Sequence, residues 1–388
     1  MFNYERTIIM KKLRFGTVGF GPRGRSMTRL AAEFDNVEIV AGCDIRTHNW
    51  FEKQWQAPAA MADLFPNATF YEDYDEMLEK ADLDIVLVET GADIHAEFCA
   101  KALAKNINVL TDIPVVANLK EAEMLWKAAE KSDAIISVGA NPNEQKFTVL
   151  LKDFYAKGLL GEPYCMEAEY IHWSFPNSEF SKGYNENGNW RKLLRPIHYC
   201  THSLGPLLTI LNEELRKVSC FGTGCRNEIA IKGGWAKDDM TCAQFQTDSG
   251  IVVRLMRNGY CRADIGHHSY RVFGTQGYME RIDRFGKPVI RYNSQRELDN
   301  KLKEIDGSFM PPAYEKNQKA INAGHGGMDF AMMDHFIDAV ANGKPAPITL
   351  KEGLAMTLPG IYAEESNKRG GEVMRMYYPW DPEWTGEF

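Results

Sequence analysis

Over the first third of the chain, short and nearly uninterrupted apolar runs alternate with stretches of helical period. Leu13–Val18, Val37–Cys43, Ile85–Val88 and residues 107–110 and 135–138 read as strands. Residues 26–34, 92–104 and 119–131 between them read as helices. Strands that are apolar on both faces need helices on both faces, so this part predicts a doubly wound parallel sheet of the α/β class. After residue 141 the pattern changes. Residues 166–173, Met240–Thr247, 251–256, 270–274 and Gly277–Ile282 read as strands. The turn signals Asp248-Ser249-Gly250 and Thr275-Gln276-Gly277 fold four of them into hairpins. Helices are predicted over 198–212, 328–341 and 350–367, and the aromatic tail 377–380 is expected to pack on a neighbouring element. The organisation expected is a short extension (1–10), a nucleotide-binding domain (11–141) and an α+β domain on an open-faced, mainly antiparallel sheet (142–388).

The first strand runs into Gly19-Phe20-Gly21-Pro22-Arg23-Gly24, a G-x-G-x-x-G turn between strand and helix. One glycine permits the turn, one lets a pyrophosphate approach the backbone, and one lets the helix pack on the strand. The helix N-terminus offers free N–H groups to the phosphates. Asp44 ends the second strand about 20 residues further on, where an acid meets the adenosine ribose of a Rossmann domain. A carboxylate there repels a 2′-phosphate, so NAD is the cofactor expected, with nearby Arg46 leaving NADP open.

The chain has 388 residues, enough for two cores, and its 44% hydrophobic and 25% charged residues are ordinary for a globular protein. The formal net charge of −8 carries no electrostatic footprint for nucleic acid or an anionic membrane. A small neutral substrate suits it better than a polyanion. No apolar run approaches the roughly 20 residues of a bilayer span. The eight cysteines contain no Cys-x-x-Cys pair, which argues for reduced thiols in a cytoplasmic protein over a zinc or disulfide framework.

In the second half, Tyr170 and His172 share one face of their strand, and Tyr199 and His202 fall three apart on one predicted helix. That spacing suits a paired acid and base as well as a packed tyrosine and a satisfied histidine. His198 and His202 are four apart, a zinc spacing, but no glutamate lies between them in a His-Glu-x-x-His pattern, and no metal is expected. His267 and His268, on a strand, would face opposite ways.

The whole N-terminal order resembles the Gfo/Idh/MocA oxidoreductases. It runs from the glycine turn through Cys43-Asp44, Asp84-Ile85-Val86 and His95 to Thr111-Asp112-Ile113-Pro114 and Val138-Gly139-Ala140-Asn141. One departure is chemical. The family's usual Glu-Lys-Pro supplies a lysine for proton transfer, and here Asp112-Ile113-Pro114 has none. The second half resembles the NAD-dependent glycosidases of glycoside hydrolase family 109, a branch with Glu-Val-Pro at that place. The matching segments are Tyr170-Ile171-His172, Trp190-Arg191, Tyr199-Cys200-Thr201-His202-Ser203-Leu204-Gly205-Pro206 and Gly324-His325-Gly326-Gly327-Met328-Asp329-Phe330. Cys200 and Ser203 replace the branch's Pro and Gly, which leaves open whether its N-acetylgalactosamine is the sugar here.

The resemblance implies NAD held by Gly19, Phe20, Gly21, Arg23, Gly24, Asp44, Thr90, His95, Asp112, Ile113 and Asn141. It implies a carbohydrate contacted by Trp190, Arg191, Thr201 and His325, and a homo-oligomer formed through the open sheet. It also implies transient oxidation at C3, elimination, water addition and re-reduction. In that cycle His202 deprotonates a sugar hydroxyl, Tyr199 orients the oxygen, and Tyr170 is the C–H base. A plain sugar or cyclitol dehydrogenase that releases NADH stands as the alternative, and a non-enzymatic NAD and sugar sensor as a further one. The missing lysine favours the sensor, and the Tyr199/His202 pair argues against it.

The reading of Asp44 has a direct test. By calorimetry Asp44→Ala should weaken NAD far more than NADP, and a wild type that prefers NADP would contradict it.

Overall fold

A computed structural model describes residues 12–54, 57–172, 190, 194–232, 234, 238–259, 268–282, 287–299 and 301–388. The extension 1–10, Trp173, Arg191 and His267 lie outside them. Six strands build the first sheet: β1 (Leu13–Val18), β2 (Val37–Cys43), β3 (Thr69–Tyr71), β4 (Ile85–Val88), β5 (Asn108–Thr111) and β6 (Ile136–Val138). They pair in parallel in the order β3-β2-β1-β4-β5-β6, the doubly wound arrangement of a Rossmann sheet. Its crevice opens at the carboxyl ends of β1 and β4, where the order reverses.

Several boundaries differ from the expectation. The first helix is Pro22–Ala31 and not 26–34, because Pro22 is pre-set for a first helical turn directly after Gly21. The helices expected over 92–104 and 119–131 are His95–Leu103 and Leu119–Ala129.

Nine strands build the second sheet: β7 (Pro163–Ile171), β8 (Leu215–Gly222), β9 (Met240–Thr247), β10 (Val252–Asn258), β11 (His268–Gly274), β12 (Gly277–Ile282), β13 (Val289–Ser294), β14 (Lys303–Asp306) and β15 (Met374–Arg375). Their order is β14-β13-β12-β11-β7-β10-β9-β8-β15, and only β7 and β10 pair in parallel among them. Met166, Ala168 and Tyr170 point to one face of β7, which the helices Thr201–Leu208 and Leu350–Lys368 help to cover. The other face carries a cross-strand ladder of alternating charge. In it Arg254, Glu167, Arg271, Glu280, Arg291 and Glu304 pair successively at 3.0, 2.6, 3.3, 3.8 and 2.7 Å.

The helix predicted over 198–212 is the main correction. A 3₁₀ turn, Pro196–His198, precedes a shorter helix, Thr201–Leu208. Tyr199 (φ −87°, ψ 46°) lies between them, outside any helix. The turn packs on Gly360 of the long helix, where a Cβ would stand 2.6 Å from the Ile197 carbonyl oxygen. His198 therefore shares no helix face with His202. It pairs through Nε2 with Glu364, and the four-residue spacing does not lie on one helix.

The chain closes by returning to the first sheet. Met332, Met333, Phe336 and Ile337 of the helix Met328–Asn342 pack on Phe15, Met27, Ile85 and Leu87. The backbone of Val138 donates to the Ile348 carbonyl at 3.0 Å. Trp126 receives the aromatic tail through Trp380, with ring centroids 5.1 Å apart, and the Tyr378 hydroxyl donates to the Leu215 carbonyl at 2.8 Å. No helix among the described residues is long and apolar enough to cross a membrane.

Candidate active site

The glycine turn is shaped for a dinucleotide. Gly19 has φ +93°, and a Cβ there would stand 2.6 Å from the Glu89 carbonyl oxygen. A Cβ on Gly24 would stand 1.9 Å from the Gly19 carbonyl oxygen, so helix and strand touch there. Gly21 has nothing within 4 Å of a Cβ, which leaves its side of the loop clear for a pyrophosphate at the helix N-terminus. Asp44 accepts from the Phe20 amide at 2.7 Å, from the Arg46 amide at 2.8 Å and from Asn49 at 2.9 Å. An ionised carboxylate accepts about four hydrogen bonds. Asp44 thus keeps one site for a ribose hydroxyl while tying the second strand to the loop. These residues fit NAD. The Phe20 side chain is buried against Trp50, so only its backbone reaches the loop.

Arg23 turns away from the phosphate side into a buried cluster. Its Nη1 lies 2.6 Å from Asp329 Oδ2, and its Nε lies 3.6 Å from Asp112 and 4.0 Å from Glu89. Asp329 also accepts from Asn141 Nδ2 at 2.8 Å and meets His325 Nδ1 at 2.9 Å. Burial alone would raise the Asp329 carboxyl, but Arg23 and His325 hold it well below the ordinary carboxylate range. Burial pulls the Arg23 guanidinium down, and Asp329, Asp112 and Glu89 more than reverse that. Glu89 goes the other way. Burial, with Asp112 and Asp329 beside it, pushes its carboxyl well up against the opposing pull of Arg23. Glu89 therefore gives up its proton less readily than an ordinary glutamate.

His95 bridges the ends of β4 and β5, with its ring nitrogens 3.0 Å from the carbonyls of Pro114 and Thr90, and burial lowers its pKa. Ile113 is buried in the apolar core.

The expected catalytic side chains meet at the carboxyl end of β7, although not through one helix. Tyr199 Oη lies 3.4 Å from His202 Nε2, and the Tyr170 ring is centred 5.4 Å from His202 and 6.0 Å from Tyr199. Trp190 stacks on Tyr199 at 6.0 Å. Thr201 Oγ1 and His202 Nδ1 are buried with no hydrogen-bond partner among the described residues, as polar atoms awaiting a ligand or water would be. His202 is pinned from behind. Pro206 has no N–H to close the helical bond to residue 202, and the Tyr270 hydroxyl donates to that carbonyl at 2.6 Å instead.

His202 does not keep an ordinary pKa near 6.5. Burial depresses it well below that, with His325, Arg23, His172 and Arg257 adding to the effect. It is a neutral hydrogen-bond acceptor at physiological pH.

His325 adopts φ +53° at the edge of this pocket, its side chain 54% exposed and its Nδ1 fixed by Asp329. Sequence reasoning missed His268, Arg257, Asp329 and Glu89. Asp329 was within reach, as the acid four residues after His325 at the start of a helix. His268 and Arg257 depend on strand register, which has no local signal.

Comparison with known proteins agrees with this architecture. Residues 13–140 match the oxidoreductase family with an NAD-binding Rossmann fold. Residues 156–381, more than half of the chain, match the C-terminal domain of glycosyl hydrolase 109. The chain belongs to the glycosyl hydrolase 109 family: it is an enzyme whose first domain is an NAD-binding Rossmann fold. An alpha-N-acetylgalactosaminidase from Shewanella oneidensis is 23% identical, over 94% of this chain and 84% of that protein. A solved oxidoreductase from Agrobacterium radiobacter, in complex with NAD+, L-tartaric acid and magnesium, superposes with a TM-score of 0.74 at 16% identity over 94% of this chain and 98% of its own. The scyllo-inositol dehydrogenase of Lactobacillus casei, with bound NAD(H) and scyllo-inositol, gives 0.71 at 15% over 94% and 99%. At such identities the two structures speak to the fold.

The buried cluster generates a paired prediction. Asp329→Asn leaves Arg23 without its main counter-charge and should lower unfolding free energy by about 3–5 kcal/mol. Glu89→Gln removes a carboxyl whose charged form its surroundings already disfavour and should cost much less. Because Asp329 is depressed when folded, its contribution is complete above the unfolded value of about 3.9 and is lost as pH falls below it. Urea titrations at neutral and acid pH check both. Equal losses in the two variants would contradict the charge assignment.

Proposed function

We propose that this protein is an NAD-dependent glycosidase that cleaves a sugar by transient oxidation, elimination, water addition and re-reduction. The observation that carries this reading is one pocket in which Tyr170, Tyr199 and His202 meet beside His325. The buried Ile113 stands where dehydrogenase relatives keep a lysine. The chemistry that bound NAD supplies is removal, and later return, of a hydride at one ring carbon, C3 by resemblance.

The chain's own residues handle protons. Neutral His202, with Tyr199 at its Nε2, accepts the hydroxyl proton of the carbon being oxidised. The new ketone acidifies the neighbouring C–H, and Tyr170 takes that proton as phenolate. The C–H electron pair moves into the C1–C2 bond, and the anomeric substituent departs with its bonding pair and a proton from His325. Water then adds at C1 and gives a proton back to His325; Tyr170, its proton exchanged with solvent, protonates C2, and His202 returns a proton to the oxygen of the re-reduced carbon. Trp190 suits stacking on the sugar face, and Arg191 is a contact by family resemblance. Thr90, Asp112 and Asn141, at the carboxyl ends of β4, β5 and β6, line the nicotinamide side of the crevice.

The homo-oligomer is proposed through the charged face of the nine-stranded sheet. Light scattering should give more than one chain per particle, and a charge reversal at Arg271 should lower that number.

The mechanism itself is tested by the fate of hydrogen. In deuterated water, aryl-glycoside cleavage should put deuterium at C2 of the released sugar, leave the oxidised carbon's own hydrogen in place, and accumulate no NADH. Stoichiometric NADH with an intact glycosidic bond would sink this reading in favour of a dehydrogenase.

A further inference from the structure

Tyr170 sits in a cross-strand rung. Arg257 of β10 is registered beside it on one side and His268 of β11 on the other, all three on the covered face. The Arg257 guanidinium carbon lies 4.4 Å from the Tyr170 ring centroid. The His268 ring stacks on the opposite flank at 4.5 Å, only 11° from parallel. The three residues are 3%, 6% and 7% exposed. Arg257 is held by its Nη1, which donates to the carbonyl of Tyr170 at 3.4 Å and to that of Asn258. His268 is held as well. The single Tyr270 hydroxyl hydrogen goes to the His202 carbonyl, so His268 Nδ1 must donate to the Tyr270 oxygen, 3.2 Å away.

A phenol ordinarily ionises near pH 10, too high for a base that works at neutral pH. A cation over an aromatic face is attracted by the ring's negative quadrupole. When the phenol ionises, part of the new charge spreads into the ring and the attraction grows. A nearby cation in a site of low dielectric favours the charged form. Among the described residues, the groups facing Tyr170 also include His172 on its own strand at 5.3 Å, Tyr199 at 6.0 Å from the turn and His202 at 5.4 Å from the helix. His202 is neutral, and among all these groups only a guanidinium is charged at every working pH.

We propose that Arg257 is a positioning residue that activates Tyr170, its guanidinium holding the ring against His268 and favouring the phenolate that takes the C2 proton. The proposal rests on the reading of Tyr170 as the C–H base, and the experiment separates the two.

The test is ¹³C NMR of full-length protein labelled at the tyrosine Cζ, with Tyr170→Phe assigning the resonance, followed by pH titration. In the wild type Tyr170 should titrate at least one pH unit below an ordinary phenol. In Arg257→Met it should move up by at least one unit, and in Arg257→Lys it should recover part of that shift. The acid limb of the C2–H exchange rate should move with it, while NAD binding stays within a few-fold. A wild-type Tyr170 that titrates near or above 10 overturns the proposal whatever the variants do, including an Arg257→Met that fails to fold. So does a wild-type value that Arg257→Lys and Arg257→Met leave unmoved. A lowered, Arg257-dependent titration with no C2 exchange would uphold the activation by Arg257 and overturn only the role given to Tyr170.

Discussion

One buried carboxylate holds the two halves of the site in register. Asp329 takes bonds from Arg23 of the glycine turn, Asn141 beyond β6 and His325 of its own loop. Those donors lie on segments around residues 23, 141 and 325, so the glycine turn, the end of the first sheet and His325 share one anchor. A carboxylate taken out of water is tolerated only when fully paired, and Asp329 has three partners. The arrangement also explains why Arg23 looks inward. In a dinucleotide loop its charge is an obvious match for phosphate, yet the geometry assigns it to Asp329. The backbone of the loop and the helix N-terminus are left to meet the pyrophosphate.

A second constraint operates inside the short helix Thr201–Leu208. Pro206 breaks the local hydrogen-bond ladder and frees the carbonyl of His202, which Tyr270 then claims. A residue that lowers helix stability thereby fixes the depth and direction of a site histidine. The local sequence, the register of β11 and the candidate site are joined through that one hydroxyl.

Much of the first domain was legible because its signals are local. The glycine turn, Asp44 and the apolar strands are written in consecutive residues, and the structure departs from them only at element ends. The second domain was legible where alternation and turn signals coincide, as in the hairpins around Asp248-Ser249-Gly250 and Thr275-Gln276-Gly277. The helix over 198–212 was overdrawn because apolar content hides a break caused by packing on Gly360, a residue some 160 positions away. Tyr199 and His202 still meet, but through a turn, so the predicted contact has a different cause. His268 and Arg257 were out of reach because each joins Tyr170 through strand register. The neutral state of His202 was out of reach because burial belongs to the whole fold.

The ladder on the far face of the large sheet carries a consequence of its own. Arg254, Glu167, Arg271, Glu280, Arg291 and Glu304 alternate in sign, and each is already balanced by its neighbour. Such a face projects little net field beyond a Debye length of about 10 Å. A protein surface settling on it would be neither drawn in nor turned away from a distance. Encounter there would proceed at an unsteered pace and respond weakly to ionic strength, and selection between arriving surfaces would fall to shape at close range.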